Sequence, residues 1–259
     1  MHRNYCLYFA AALTASFNPL AHATFTLGSA ATFSVLGGTT VTNTGLTILD
    51  GDLGVSPGTA ITGSPTVING SIYTGADAVA VQAHADTVTA YNFIFDEPIG
   101  TDLSGQNLGT LALPLTPGVY TFAASAALTG TLFLDTQGDP NASFHFQIGT
   151  TFITDALSSV VTLGLGGAAA PNIFWQIGTS ATIGANTSLQ GTLLAQTSIS
   201  LGAGAGISGR ALAIDGAVTM DSNNISNGLA VPEPGSLGMM ASGLAALVAL
   251  VAFRRRRLT

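Results

Sequence analysis

Ile173-Phe-Trp-Gln-Ile-Gly, Thr179-Ser-Ala-Thr-Ile-Gly and Asn186-Thr-Ser-Leu-Gln-Gly form the first of three copies of one pattern. The second copy reads Thr192-Leu-Leu-Ala-Gln, Thr197-Ser-Ile-Ser-Leu-Gly, Ala205-Gly-Ile-Ser-Gly. The third reads Arg210-Ala-Leu-Ala-Ile, Gly216-Ala-Val-Thr-Met, Asn223-Asn-Ile-Ser. Each copy is three short apolar or alternating runs punctuated by Gly or Asn. A period of roughly 20 residues marks a solenoid with one coil per repeat. Short β-rich runs with Gly corners make each coil a turn of parallel β-helix, because Gly supplies the backbone angles of tight bends.

Outward from this stretch the rhythm continues. Gly118-Val-Tyr-Thr-Phe, Ser125-Ala-Ala-Leu-Thr-Gly and Thr131-Leu-Phe-Leu-Asp make one coil. Ser143-Phe-His-Phe-Gln-Ile, Thr150-Thr-Phe-Ile-Thr and Ser158-Ser-Val-Val-Thr-Leu make the next. Thr32-Phe-Ser-Val-Leu, Thr39-Thr-Val-Thr-Asn-Thr, the turn Asp50-Gly-Asp-Leu-Gly54 and Thr59-Ala-Ile-Thr62 supply one or two more. One segment breaks the pattern. Residues 78–95 are Ala-rich without Gly or Pro. Val81, Ala85, Val88, Tyr91 (or Asn92) and Phe95 fall at helical spacing and predict one apolar face. Thr74-Gly-Ala-Asp77 predicts a capping box with Thr74 as the cap, and Pro98-Ile-Gly100 ends the helix. At about 1.5 Å per residue it can run alongside several coils.

The ends read differently. Residues 1–23 combine Arg3, an apolar middle and Ala21-His-Ala23, the layout of a secretory signal with a small-x-small cleavage site. The expected domain is 24–230. From 231 the chain carries Pro232-Glu233-Pro234, an uncharged apolar segment 236–253, then Arg254, Arg255, Arg256 and Arg257. That segment can just span a bilayer, with the Arg cluster kept cytoplasmic. The three-part order resembles the PEP-CTERM sorting signal of Gram-negative bacteria. The resemblance implies handling by an exosortase-type enzyme and export to the cell surface or extracellular matrix. A permanent single-span anchor is the alternative reading of the same residues.

Composition excludes several classes. The 259 residues carry six basic side chains, none of them Lys, and a formal net charge of −7. Between the termini Arg210 is the one cation. Nucleic-acid binding requires phosphate-neutralising Lys and Arg, so none is expected. The single Cys, Cys6, lies in the leader, so the domain has no disulfide or thiolate site. No catalytic, metal or cofactor site is expected. A parallel β-helix can carry polysaccharide lyases and hydrolases, but Arg210 opens a strand at a Gly corner and is expected to tie down a carboxylate or carbonyl. Asp50 and Asp52, and Asp135 and Asp139, sit in turns where Asp caps its own backbone. His84 is expected to pack on or face out from the helix. His145 alternates with Phe144 and Phe146 and leaves the opposite face from theirs; with no nucleophile in evidence, it is expected to be structural.

Residues 27–226 resemble the β-helical ice-binding protein family of bacteria, fungi and algae. The matching stretches include Leu27-Gly-Ser-Ala-Ala-Thr-Phe-Ser-Val-Leu, Gly51-Asp-Leu-Gly-Val-Ser-Pro-Gly, Pro117-Gly-Val-Tyr, Gly130-Thr-Leu-Phe-Leu-Asp, Asn172-Ile-Phe-Trp-Gln-Ile-Gly, Leu194-Ala-Gln-Thr-Ser-Ile and Gly209-Arg-Ala-Leu-Ala. The resemblance implies a mainly β fold: a discontinuous right-handed parallel β-helix of triangular section with one long α-helix alongside. Fold alone does not settle function, which must be argued at the site.

Alternation along the middle runs proposes that site. Ala181, Ile183, Ile199, Leu201, Val218 and Met220 share one parity and should fill the core. Ser180 and Thr182, Ser198 and Ser200, and Ala217 and Thr219 then point outward. Thr151 and Thr62 extend the face, with Thr151 expected on the coil beside Thr182. The family's recurring ice-face motif is Thr, Ala or Gly, any residue, then Thr or Asn. Thr59 to Thr62 matches it; Thr179 to Thr182 departs at Ser180, and Thr197 to Ser200 departs twice. Coils ~4.8 Å apart and alternate residues ~6.7 Å apart would fix a lattice of small side chains. Methyl groups discourage liquid-like solvation while hydroxyls anchor ordered waters. The implied partners are the ice surface and its ordered water, engaged by a monomer, with the membrane met only through the C-terminal segment before processing. A surface or biofilm-matrix protein binding polysaccharide is the alternative, and an exposed aromatic stripe would favour it; Trp175 and the Phe residues read as core.

Overall fold

The computed structural model describes residues 25–164 and 172–228. The signal segment 1–23 and the sorting segment from 231 lie outside them. Among the described residues no helix is long and apolar enough to cross a membrane.

All the strands pair in parallel and form three ladders around one core. The first ladder, here called the bare face, stacks Ala126–Leu128, Phe152–Thr154, Ala181–Ile183, Ile199–Leu201, Val218–Asp221, Thr40–Thr44 and Ala60–Thr62. The second is the helix face. It runs from Gly118–Phe122 through Ser143–Ile148 and Asn172–Ile177 to Phe33–Gly37, Asp52–Val55 and Ile72–Thr74. The third face includes Thr131–Asp135, Ser159–Leu163, Asn224–Ser226, Ile48–Asp50 and Thr66–Ile68. Ser188–Ala195 and Gly206–Ala213 are long strands that start on the third face and finish on the helix face. The boundary read between the first two repeats, at Gly191 and Thr192, therefore falls inside one continuous strand. Stacking at this bend requires Gly: a Cβ on Gly209 would lie 1.9 Å from the Gly191 carbonyl oxygen.

The coils do not stack in chain order. The last coil pairs with the first: Val218 lies beside Val41, and Ala211 beside Val35. Asn227 closes the junction, its Nδ2 donating to the Thr32 carbonyl at 2.7 Å. The chain then runs away from its own middle through the coil ending at Thr74. It returns along α1, Ala78–Phe95. Eighteen residues make a helix of about 27 Å. Six strand spacings of ~4.8 Å separate Ile72–Thr74 from Ser143–Ile148. Helix length thus matches the number of coils it must pass before coiling resumes at the other end.

Two details of the helix differ from expectation. Its cap is Asp77, which accepts from the Val79 amide at 2.9 Å, while Thr74 belongs to the preceding strand. Its buried side is Ala80, Ala83, Thr87, Ala90, Tyr91 and Ile94. Val81, Ala85 and Phe95 face solvent. Small side chains let the helix lie close to the sheet, and Leu36, Leu194, Leu212 and Phe174 of the sheet supply the bulk between them. The inner core stacks aromatic rings along the coils: Phe146 on Trp175 at 4.0 Å and Phe152 on Trp175 at 4.7 Å between centroids. Phe95 and Phe133 are exceptions to the reading of every Phe as core.

Candidate functional site

The alternation is as expected on the bare face. Ala181, Ile183, Ile199, Leu201, Val218 and Met220 are buried, and Thr182, Ser200 and Thr219 are exposed. Pairing sets Thr182 beside Ser200, Ser200 beside Thr219, Thr219 beside Thr42, and Thr42 beside Thr62. One column of outward side chains therefore crosses five coils and joins residues 20 positions apart to others 177 apart. At its far end the column continues as Ile153 and Ala127.

Thr151 is not in that column. Phe152 is level with Ala181, so Thr151 is level with Ser180 and Ile153 with Thr182. The expected neighbour of Thr182 was displaced by one alternation because Thr150-Thr-Phe-Ile starts its strand at Phe152. Ile153, 45% exposed, is an apolar side chain in a column otherwise of Thr, Ser and Ala.

A second column holds Thr151, Ser180, Ser198, Ala217, Thr40 and Ala60, and all but Ala60 are half-buried. Two of its hydroxyls are engaged by backbone. Ser180 Oγ accepts from the Ser198 amide and Ser198 Oγ from the Ala217 amide, each at 3.3 Å. A third column lies at the corner, where Thr150, Thr179, Thr197, Thr39 and Thr59 are exposed. Backbone bonds tie these corners coil to coil, Thr179 N to the Thr150 carbonyl and Thr197 N to the Thr179 carbonyl, both at 2.8 Å. The corner and outer columns thus offer free hydroxyls and methyls, and the column between them is partly spent on the scaffold. Thr39, Thr40, Thr42 and Thr150 belong to this face by position although alternation in the three clear repeats does not reach them. The signal was present in Thr39-Thr-Val-Thr, which repeats the Thr-x-apolar-Thr spacing of Thr179 to Thr182.

Charge stands only at the margins. Asp155 follows its strand, Asp221 is the last residue of Val218–Asp221, and Asp215 precedes Gly216. Asp155 accepts from Thr129 Oγ1 at 2.7 Å and Asp215 from Gln196 Nε2 at 2.6 Å. Among the described residues no group of three or more His, Cys, Asp or Glu side chains could hold a metal ion.

The remaining candidates fall on the helix face. Arg210 Nε donates to the Ala31 carbonyl at 2.9 Å, the carbonyl tie expected of it. Burial lowers its pKa to about 10. His84 packs at half exposure, its Nε2 3.0 Å from the Ile214 carbonyl. His145 leaves the opposite side from Phe144 and Phe146, as alternation requires, but it does have a hydroxyl partner. Ser143 Oγ lies 2.6 Å from its Nε2, and Glu97 Oε2 lies 2.6 Å from its Nδ1. The expectation that no nucleophile adjoins His145 is corrected: alternation puts Ser143 and His145 on one side, and the helix end brings Glu97.

Comparison with known proteins places this geometry. The chain is 48% identical to an ice-binding protein of Nostoc sp. (strain HG1), over 99% of this chain and 97% of that one. It is 34% identical to ice-binding protein 1 of Shewanella frigidimarina (strain NCIMB 400), over 80% of this chain and 26% of that longer protein. The crystal structure of an ice-binding protein from an Antarctic biological consortium superposes with a TM-score of 0.73 at 44% identity, covering 78% of this chain and 90% of that one. The ice-binding protein of the Antarctic ascomycete Antarctomyces psychrotrophicus superposes with a TM-score of 0.70 at 34% identity, covering 79% and 98%. Residues 230–257 match the PEP-CTERM protein-sorting motif. Residues 35–226 match the Ice-binding-like family, and the chain belongs to that family.

Proposed function

We propose that this protein adsorbs to ice through its bare face and so inhibits ice growth and recrystallisation. The observation that carries the reading is the outward ladder: small hydroxyl and methyl side chains in register over successive coils, with charge only at the margins. The site residues are Thr59, Thr62, Thr179, Thr182, Thr197, Ser200 and Thr219, with Thr151, Ser180, Ser198 and Ala217 behind them. Strands ~4.8 Å apart give the hydroxyls a regular spacing. Waters bound at that spacing are already ordered when the face meets a crystal, so little ordering remains to be done on contact. A long charged side chain would hold water in an unrelated geometry. Adsorption makes and breaks no covalent bond, so the face acts as a surface and not as a catalyst. That the similar proteins are named ice-binding proteins supports the same reading. A thermal-hysteresis and recrystallisation assay on the purified protein tests it: ice crystals should be shaped and held, and ordinary ice growth at millimolar protein would overturn it.

The family tail supports export, with an exosortase-type enzyme removing the segment after Pro232-Glu233-Pro234. Mass spectrometry of exported protein should find no peptides from Ser236 onward. Polysaccharide binding gains nothing from the exposed aromatics: Phe95 is on the helix and Phe133 on the third face, so they form no stripe.

A further inference from the structure

The Ser143, His145 and Glu97 side chains lie on the helix face, away from the ladder just described, and ice adsorption makes no use of them. Strand Ser143–Ile148 sends Ser143, His145 and Gln147 to the side facing the end of α1. The His145 side chain is 11% exposed. Its Nδ1 meets Glu97 Oε2 at 2.6 Å, and its Nε2 meets Ser143 Oγ at 2.6 Å. A simple tie between helix and sheet does not need the second contact. Gln147 already makes that tie, its Nε2 donating to the carbonyls of Ile94 at 2.7 Å and Glu97 at 3.0 Å.

The arrangement has the polarity of acyl transfer. A carboxylate on Nδ1 orients the ring and stabilises the imidazolium, leaving Nε2 to take the hydroxyl proton. Phe25 and Phe174 flank the ring, with centroids 5.7 and 5.6 Å away, and shield it from water. Ser143 itself is half-buried, less enclosed than His145. Asn172 is level with it on the adjacent strand and is exposed. The Asn172 side-chain amide makes no hydrogen bond among the described residues, and it sits one strand spacing, ~4.8 Å, from Ser143. In the site proposed below, its Nδ2 is the candidate donor to the oxyanion.

We propose that Ser143 is the nucleophile of a shallow site that hydrolyses small O-acyl esters. Ser143 Oγ attacks the acyl carbon and passes its proton to His145 Nε2. The C–O bond to the alcohol breaks, and His145 returns the proton to the leaving alkoxide. Water then attacks the acyl-serine, giving up a proton to His145, and Ser143 leaves as the re-protonated hydroxyl. The balance is ester plus water to acid plus alcohol. Glu97 is a positioning residue. The site lies at the start of the strand beside the end of α1.

The test uses p-nitrophenyl acetate and a fluorophosphonate on the purified protein. The fluorophosphonate should modify Ser143 alone, read as a mass shift on its peptide. Ester hydrolysis should fall about a hundredfold or more in Ser143→Ala. Glu97→Gln should slow labelling by a similar factor and move its pH profile, with hysteresis unchanged in both variants. An unlabelled Ser143 in protein with a normal melting temperature overturns the proposal. So does a Ser143→Ala protein that hydrolyses the ester at the unsubstituted rate, since a bare imidazole would then account for it.

Discussion

The bare face and the helix face close the same core from inside and differ in what they turn outward. The helix face presents Leu36, Phe174, Leu194 and Leu212, together with His145 and Gln147. That surface is too apolar to leave in water, and α1 covers it. The bare face presents Thr, Ser and Ala, with Ile153 near one end, and no element of the described chain covers it. Inside, both use Ile, Leu, Val and Phe. Stability is therefore invested in one outer surface and withheld from the other. Substitutions on the helix face should cost stability and spare ice activity, and those on the bare face should do the reverse.

The largest effect on stability belongs under the helix. Leu194 is fully buried between sheet and α1. Leu194→Ala should cost about 2–5 kcal/mol by losing its transfer energy and leaving a cavity. Thermal unfolding measures it, and hysteresis near 0 °C should stay close to normal. Gln147→Ala is next: it strips a donor from the Ile94 and Glu97 carbonyls at the helix end. About 1–3 kcal/mol should be lost, by denaturant unfolding. The smallest change is on the other face. Ile153→Thr would continue the column of Thr182 by one coil. Its stability should stay within about 0.5 kcal/mol, while hysteresis rises modestly. A drop in hysteresis would mean that the apolar side chain itself belongs to the contact.

How much could be read in advance divides along the same line. On the bare face alternation sufficed, because Ile183, Leu201 and Met220 are bulky and their neighbours small, so inside and outside were distinct at each coil. Coil order was not legible. Nothing local in Thr39-Thr-Val-Thr says that it lies against Val218 to Asp221; that pairing depends on the last coil having a free edge. Thr151 was misplaced by one step because a corner residue can be counted as strand. On the helix, hydropathy selected Val81 and Phe95, whereas close packing selected Ala83 and Ala90. Asp77 outcompeted Thr74 as cap because Thr74 is held in the preceding strand. Two of the three members of the Ser143 cluster were visible in Ser143-Phe-His145; Glu97 lies 48 residues upstream of His145 and only the helix return brings it there.

The central claim is that the bare face, and neither of the others, meets ice. Thr182 is exposed on it between Ile153 and Ser200, and Ser188 is exposed on the third face of the same stretch of chain. Thermal hysteresis of Thr182→Tyr against Ser188→Tyr, with melting temperatures measured alongside, is the direct comparison. A tyrosine ring at Thr182 would hold the ice surface several ångströms off (about the height of the ring above a threonine methyl) and disrupt the ordered water. The account predicts lost hysteresis for Thr182→Tyr, near-normal hysteresis for Ser188→Tyr, and melting temperatures alike. Equal hysteresis in the two proteins would contradict it.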